Sequence, residues 1–159
     1  MLKLVFITLL VLSMISCAQD PLQVKDLHQN RITLNNDTVA YFLVFSDEYV
    51  ICSDCYKELE TVKNDIKTKS NVVSGFIMKI NSRLEAKNIV LNIRPFMKTD
   101  SIFLDYFENE KPKLWTKFGV KITPSVLMVK GNRYKYLDYN ELFNSNINLE
   151  STVKEFYNG

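Results

Sequence analysis

Two kinds of hydrophobic spacing alternate along the chain, and they predict alternating strands and helices. The run Val39–Phe45 is continuously apolar and rich in aromatic and β-branched residues, as is typical of a buried strand. From Cys52 to about Thr68, apolar side chains instead recur every three or four residues, which is the spacing of one helical face. Those side chains are Tyr56, Leu59, Val62 and Ile66.

The same two patterns organise the rest of the chain. Further strands are predicted over Val72–Ile80, Ser101–Phe107, Val126–Val129 and Tyr134–Leu137. The last two flank the turn pair Gly131-Asn132 and should form an antiparallel hairpin. Helices are predicted over 82–97, from Pro112 to Gly119, and from Asn140 to Tyr157 with a break near 144–148. This order predicts an α/β fold, with helices on both faces of a central sheet.

The N-terminus has the layout of a secretory signal. A positive start at Lys3 precedes an apolar run that ends at small Ser16. The run is shorter than the roughly 20 apolar residues that a membrane-spanning helix needs. We therefore interpret residues 1–16 as a signal peptide.

Met14-Ile15-Ser16-Cys17 resembles a bacterial lipobox. The resemblance implies cleavage before Cys17, lipidation of this cysteine, and anchoring to a membrane of the cell envelope. Several acyl chains give a stable anchor where one does not. Residues 17–37 are then an anchor and tether, with one strand near Arg31–Leu34, and 38–159 form the domain. Ordinary secretion with a free or paired Cys17 is the alternative.

Composition and charge limit the kinds of binding partner and the cellular compartment that we expect for this protein. The 159 residues are 47% hydrophobic and carry a formal charge of +2 without a long basic block, so no nucleic-acid partner is expected. There are three cysteines, at 17, 52 and 55. Lipidation would consume the first and leave a close pair in an oxidising compartment.

The pair in Cys52-Ser53-Asp54-Cys55 begins the predicted helix. A helix N-terminus offers free N–H groups and a partial positive charge, and both favour a thiolate. Cys52 would attack a partner disulfide, and Cys55 would resolve the resulting mixed disulfide. These two cysteines are the predicted catalytic residues.

Together with Ile122-Thr123-Pro124-Ser125, these residues make the chain resemble the thioredoxin-like family. The resemblance implies a mixed central sheet and a cis proline at 124 beside the sulfurs. It also implies that the backbone of Thr123 pairs with substrate. Expected partners are protein thiols and disulfides and a redox partner protein, without cofactor or metal. The segment 82–107 resembles the insertion of membrane-anchored, TlpA-like members.

Several residues depart from the family pattern. Ile51, counted with Thr123 and Pro124 as substrate-binding, replaces the usual aromatic residue before the first cysteine, and Ser53 and Asp54 replace Gly-Pro. Asp54 would repel a thiolate while suiting the helix dipole. No buried acid follows the first long strand, where Ser46 is nearest in position, and Asp105 is expected to be solvated.

Two other interpretations of the cysteine pair remain open. The pair could be a structural disulfide in a non-catalytic lipoprotein that binds a peptide or protein. It could also be half of a metal site, although zinc needs four ligands and the only histidine, His28, lies in the entry segment.

Overall fold

The computed structural model describes residues 21–46, 53–67, 71–80, 102–105 and 113–159. Its seven strands are β1 (Gln23–Asp26), β2 (Arg31–Thr33), β3 (Ala40–Ser46), β4 (Val72–Lys79), β5 (Ile102–Asp105), β6 (Ser125–Lys130) and β7 (Arg133–Leu137). Its helices are α1 (Ser53–Lys67), α2 (Lys113–Lys117), α3 (Tyr139–Phe143) and α4 (Leu149–Asn158).

The described strands form one mixed sheet in the order β2-β1-β5-β4-β3-β6-β7. The neighbours β3, β4 and β5 are parallel, and all other pairs are antiparallel. The carboxyl ends of β3, β4 and β5, at Ser46, Lys79 and Asp105, therefore share one edge with the starts of β1 and β6. We name this the upper edge; it carries the candidate site.

Side chains of the central strand alternate between two apolar cores. Phe42 and Val44 join the core that is covered by α1, α3 and α4. Tyr41, Leu43 and Phe45 join the core that is covered by α2. Since successive side chains of a strand point to opposite faces, a fully apolar β3 requires cover on both sides.

The hydrophobic spacing predicted most of these elements. Every residue of the predicted helical stripe in α1 is buried in the first core, namely Tyr56, Leu59, Val62 and Ile66. The predicted strands are confirmed with shifted ends, and the C-terminal helix is broken as predicted between α3 and α4. Gly119 and Gly131 have φ of 59° and 55°, a conformation that glycine adopts without strain. The helix predicted over 82–97 lies outside the described residues.

The prediction of a tether up to residue 37 is wrong for its described part. Residues 23–26 and 31–33 are strands of the sheet, although only the second was predicted. Leu22, Val24 and Leu34 are fully buried in the second core. The short, mostly polar β1 was not recognisable because its stability comes from pairing with β5, far along the sequence. The predicted signal peptide and Cys17 lie outside the described residues.

β5 joins the N-terminal hairpin to the rest of the sheet. It lies between β4 and β1, within the segment 82–107 for which the sequence predicted a TlpA-like insertion. Phe103 and Leu104 pair with β1 on one side and β4 on the other. None of the helices in the described ranges is long and apolar enough to span a membrane.

Candidate thiol–disulfide site

Cys55 lies in the first turn of α1, at the upper edge of the sheet. The helix begins at Ser53, so the N–H groups of its first turn have no partner within the helix. Cys55 is half-buried, and its sulfur is in a disulfide. The other two cysteines, Cys17 and Cys52, lie outside the described residues, as does Ile51.

A buried hydrogen bond fixes this turn to the end of β3. The hydroxyl of Tyr56 donates to Oγ of Ser46 at 2.9 Å, and both residues are buried. The sequence identified Ser46 by its position, but it gave Tyr56 only a packing role. Because Tyr56 follows Cys55 directly, this bond sets the position of the cysteine relative to the sheet.

Asp54 lies almost entirely in solvent and is paired with a cation of its own helix. Its carboxylate is 2.8 Å from Nζ of Lys57, and the hydrogen bond from this lysine lowers the pKa of Asp54 below its ordinary value. Lys57 is also largely exposed, so the pair contributes little to stability. The ion pair instead acts on the charge near the cysteine. The positive charge of Lys57 offsets the repulsion that an unpaired Asp54 carboxylate would exert on a neighbouring thiolate.

The segment Ile122–Ser125 forms the second side of the candidate site. The peptide bond between Thr123 and Pro124 is cis, as the family resemblance implies. Both residues are buried, and Oγ1 of Thr123 has no hydrogen-bond partner within the described ranges. Ser125 pairs with Phe45 of β3, so this segment enters the sheet at the edge where β3 ends.

A hydrogen-bonded chain that the sequence did not reveal supports the segment before Pro124. Ser125 Oγ donates to the carbonyl of Ile122 at 2.8 Å, and the hydroxyl of Tyr136 on β7 bonds to Ser125. Burial raises the pKa of Tyr136, so its hydroxyl stays protonated and can donate. The neighbouring strand β7 thereby holds the backbone that would meet a substrate.

An open pocket adjoins this segment on the side of β7 and α3. Its volume is about 300 Å³, and the side chain of Ile122 at its rim is 53% exposed. The pocket is lined by Phe118, Gly119, Lys121, Ile122, Tyr136, Asp138, Tyr139 and Asn140. An apolar wall with a few polar groups suits an extended peptide whose side chains are partly apolar.

Asp105 at the end of β5 is fully buried, so the expectation that it is solvated is wrong. Its Oδ2 accepts a hydrogen bond of 2.7 Å from the N–H of Trp115, the third residue of α2. A carboxylate at the start of a helix interacts favourably with the helix dipole. Asp105 therefore holds α2, and α2 leads through Gly119 to the segment before Pro124.

Burial is the largest influence on Asp105 and raises its pKa, while bonds from the first N–H groups of α2 act in the opposite direction. A carboxyl whose pKa is higher in the folded state binds its proton more tightly there. Its contribution to the free energy of unfolding should therefore increase as the pH falls through the folded pKa, and level off below the ordinary value of 3.8.

The variant Asp105→Asn isolates the pH-dependent contribution of Asp105 to stability, because an amide does not titrate. Its oxygen can still accept the hydrogen bond from the N–H of Trp115. Urea unfolding of both proteins between pH 7 and 4 should show the original protein gaining stability relative to the variant. The carboxyls with lowered pKa, Asp26 and Asp54, titrate in both proteins and cancel. A difference that stays constant over this range would contradict the prediction.

Cys55 and Asp54 in the first turn of α1, which begins at Ser53, and Thr123-Pro124 ahead of β6 all lie at the upper edge, where β3 ends. Within the described ranges, no group of three or more histidine, cysteine, aspartate or glutamate side chains could hold a metal ion. Sequence reasoning missed Tyr56, Tyr136 and Asp105 as supporting residues.

Comparison with solved structures identifies chains of similar architecture. No protein-family model matches the sequence, and no curated protein matches it. Among solved structures, the exposed lipoprotein thioredoxin Etrx1 of Streptococcus pneumoniae has a TM-score of 0.58 at 12% identity, over 87% of this chain and 99% of that one.

Two further solved structures are similar. StoA of Bacillus subtilis has a TM-score of 0.53 at 18% identity, over 86% of this chain and 95% of that one. A thiol-disulfide oxidoreductase of Bacteroides fragilis has a TM-score of 0.58 at 9% identity, over 86% and 96%. Together with the mixed sheet and the cis proline at the start of β6, these similarities show that the chain has a thioredoxin-like fold.

Proposed function

We propose that the protein is a thiol–disulfide oxidoreductase of the cell envelope that exchanges disulfides with protein substrates through Cys52 and Cys55. The observation that carries the proposal is the position of Cys55. Its sulfur is in a disulfide in the first turn of α1, at the edge where Thr123-Pro124 immediately precedes β6. Cys52 is proposed as the other half of this disulfide.

The reaction transfers two electrons between dithiol and disulfide. In the reducing direction, the thiolate of Cys52 attacks a substrate disulfide, and one substrate sulfur leaves as a thiolate that takes a proton from water. The thiolate of Cys55 then attacks the sulfur of Cys52. This step breaks the mixed disulfide, releases the second substrate thiol and leaves Cys52–Cys55 oxidised. Oxidation of a substrate follows the same steps in reverse.

The described surroundings supply what these steps need. The partial positive charge at the N-terminus of α1 favours a thiolate in its first turn. Lys57 offsets the charge of Asp54 there, and the bond from Tyr56 to Ser46 keeps the turn against the sheet. The backbone of Thr123 is proposed to pair with the substrate chain, and Ile51 to line its path. The partners would be protein thiols and disulfides, with a second redox protein that restores the pair.

Export and anchoring complete the proposal. The signal-like residues 1–16 and the lipobox resemblance at Cys17 support a domain that is exported from the cytoplasm and bound to a membrane through lipid. Similar structures include a secreted disulfide oxidoreductase of Mycobacterium tuberculosis and the exposed pneumococcal lipoprotein. An oxidising compartment is where an exchangeable disulfide is expected.

A second candidate is a binding module with a structural Cys52–Cys55 disulfide. The exposed Ile122 and the pocket beside it favour this candidate, because both suit capture of a peptide without any chemistry. In this case, the disulfide would resist reduction at the potentials of the envelope.

A redox titration separates the two candidates. The full-length protein is equilibrated in thiol buffers of stepped potential, and free thiols are counted by mass tagging. For an oxidoreductase we expect one two-electron transition between about −120 and −270 mV, the range of known exchangers. A variant with both Cys52→Ser and Cys55→Ser sets the background. A transition below about −300 mV would identify a structural disulfide and overturn the proposal.

A further inference from the structure

The last residue of β3 is a fixed point of the sheet beneath the candidate site. Ser46 is fully buried, and it pairs with Met78 of the parallel neighbour β4. On the other side of β3, Phe45 pairs with Ser125 of β6, the residue after Pro124. The end of β3 is therefore held from both sides by its neighbouring strands.

The hydroxyl of Tyr56 connects the first turn of α1 to this fixed point. It donates to Oγ of Ser46 over 2.9 Å, and Tyr56 is only 4% exposed. Its ring packs in the first core, with its centre 6.0 Å from that of the Phe76 ring. Because Tyr56 directly follows Cys55, the bond acts one residue away from the sulfur of a disulfide.

The restraints on this turn differ between the oxidised and the reduced protein. With Cys52 as its proposed partner, the disulfide of Cys55 closes a covalent loop over the start of the helix. Reduction opens this loop, and the ends of helices open more readily than their centres. The bond from Tyr56 to Ser46 then remains as a polar link between the first turn and the sheet.

An intact first turn is also what the chemistry of the reduced protein requires. The partial positive charge at a helix N-terminus favours a thiolate only while the first turn keeps its helical geometry. In the mixed disulfide, the sulfur of Cys55 must stay within reach of Cys52, although no covalent bond joins the two residues. A turn that opens loses both properties.

We propose that Tyr56 and Ser46 are positioning residues for Cys55, which hold the first turn of α1 in place while the disulfide is open. This inference rests on the proposed function, because it takes Cys52 and Cys55 as the exchanging pair. The hydrogen bond stabilises the dithiol form more than the disulfide form, and it thereby raises the reduction potential of the protein.

The variant Tyr56→Phe removes the hydroxyl and keeps the ring in the core. Full-length protein is equilibrated in glutathione buffers, where two glutathione thiols reduce the protein disulfide to two thiols and one glutathione disulfide forms. We expect the equilibrium constant for reduction to fall by about threefold to tenfold, a size set by the net contribution of one hydrogen bond. For a two-electron couple, this corresponds to a potential lower by about 15 to 30 mV.

The variant Ser46→Ala removes the acceptor of the same bond and should lower the potential by a similar amount. The double variant should shift the potential no further than either single variant, because the same bond is lost in all three proteins. Circular dichroism identifies a variant that does not fold. Since either single variant breaks the bond, one folded variant is enough to decide the inference.

Tyr157→Phe is the matched control, because it also removes one tyrosine hydroxyl with a hydrogen bond to β3. The hydroxyl of Tyr157 on α4 donates to the carbonyl of Tyr41 over 2.6 Å. Tyr41 precedes Ser46 by five residues on the same strand, which is about 16 Å. We expect this variant to be less stable in urea and to keep the potential of the original protein.

Equal potentials of the original protein and Tyr56→Phe would show that the bond stabilises both redox states alike, and they would overturn the inference. Additive shifts in the double variant, or an equal shift in Tyr157→Phe, would do the same. The proposed function is decided separately by the transition of the original protein. A transition below about −300 mV overturns that function, while the differences between the variants still decide the role of Tyr56 and Ser46.

Discussion

Cys52→Ser should lower the rate at which the protein reduces insulin to the rate of the uncatalysed reaction. A serine hydroxyl is not ionised near neutral pH and does not attack disulfides, whereas a thiolate does. The remaining Cys55 lies half-buried beside the sheet, where Tyr56 fixes its turn. It should not replace the missing nucleophile, so the loss should be nearly complete. Turbidity of the released insulin chains measures the rate.

Cys55→Ser is the matched variant, because it keeps the attacking thiol and removes only the resolving one. It should accumulate mixed disulfides that reducing agent releases and that non-reducing gels display. Proteins trapped in cells would identify the natural substrates. If Cys52→Ser retains most of the activity, or if Cys55→Ser traps nothing, Cys52 is not the nucleophile.

Phe45→Ala should lower the free energy of unfolding by about 3–5 kcal/mol, the typical cost of removing a buried aromatic ring. Phe45 is fully buried, and its ring meets that of Trp115 edge-on at 5.2 Å. It also lies 5.9 Å from the ring of Tyr136 and 6.3 Å from that of Phe118. Urea denaturation followed by circular dichroism gives the free energy directly.

Phe143→Ala is a suitable control for this loss. Phe143 is only partly buried, and its ring lies 4.9 Å from that of Tyr139 within the same short helix α3. We expect its replacement to cost clearly less than that of Phe45. Equal costs for the two variants would mean that the packing around α2 does not stabilise the domain as the ring contacts indicate.

The central part of the fold was predictable because its signals are local. The continuous apolar run of β3 and the helical spacing of α1 each lie within a single element. The turn at Gly131 likewise needed only the residues beside it. Such patterns depend on the faces that an element must bury, and the sequence contains that information directly.

The peripheral strands were harder to predict because their stability depends on distant residues. β1 has four residues, and its pairing with β5 is specified by nothing in its own sequence. The burial of Asp105 was missed for a related reason. A charged residue at the end of a strand is usually solvated, and only the packing of α2 over β5 removes it from water.

The candidate site likewise has features that could be predicted from the sequence and features that could not. Thr123-Pro124 was found because an X–Pro pair ahead of an apolar strand is visible in the sequence. The chain of hydrogen bonds from Tyr136 through Ser125 to Ile122 was not predicted, because it connects β7 to β6 through two hydroxyl groups. Tyrosine and serine at such positions are equally compatible with a surface role.

The position of β5 in the sheet also affects the order in which the domain can be assembled. β1 and β2 are synthesised first and pair with each other, but β1 acquires its second neighbouring strand, β5, only when residues 102–105 emerge. Until then, the core around Leu22 and Val24 lacks Phe103 and the residues of α2 that complete it. We therefore expect the N-terminal hairpin to be a target for chaperones while the chain is incomplete, and its docking to be among the last steps of folding.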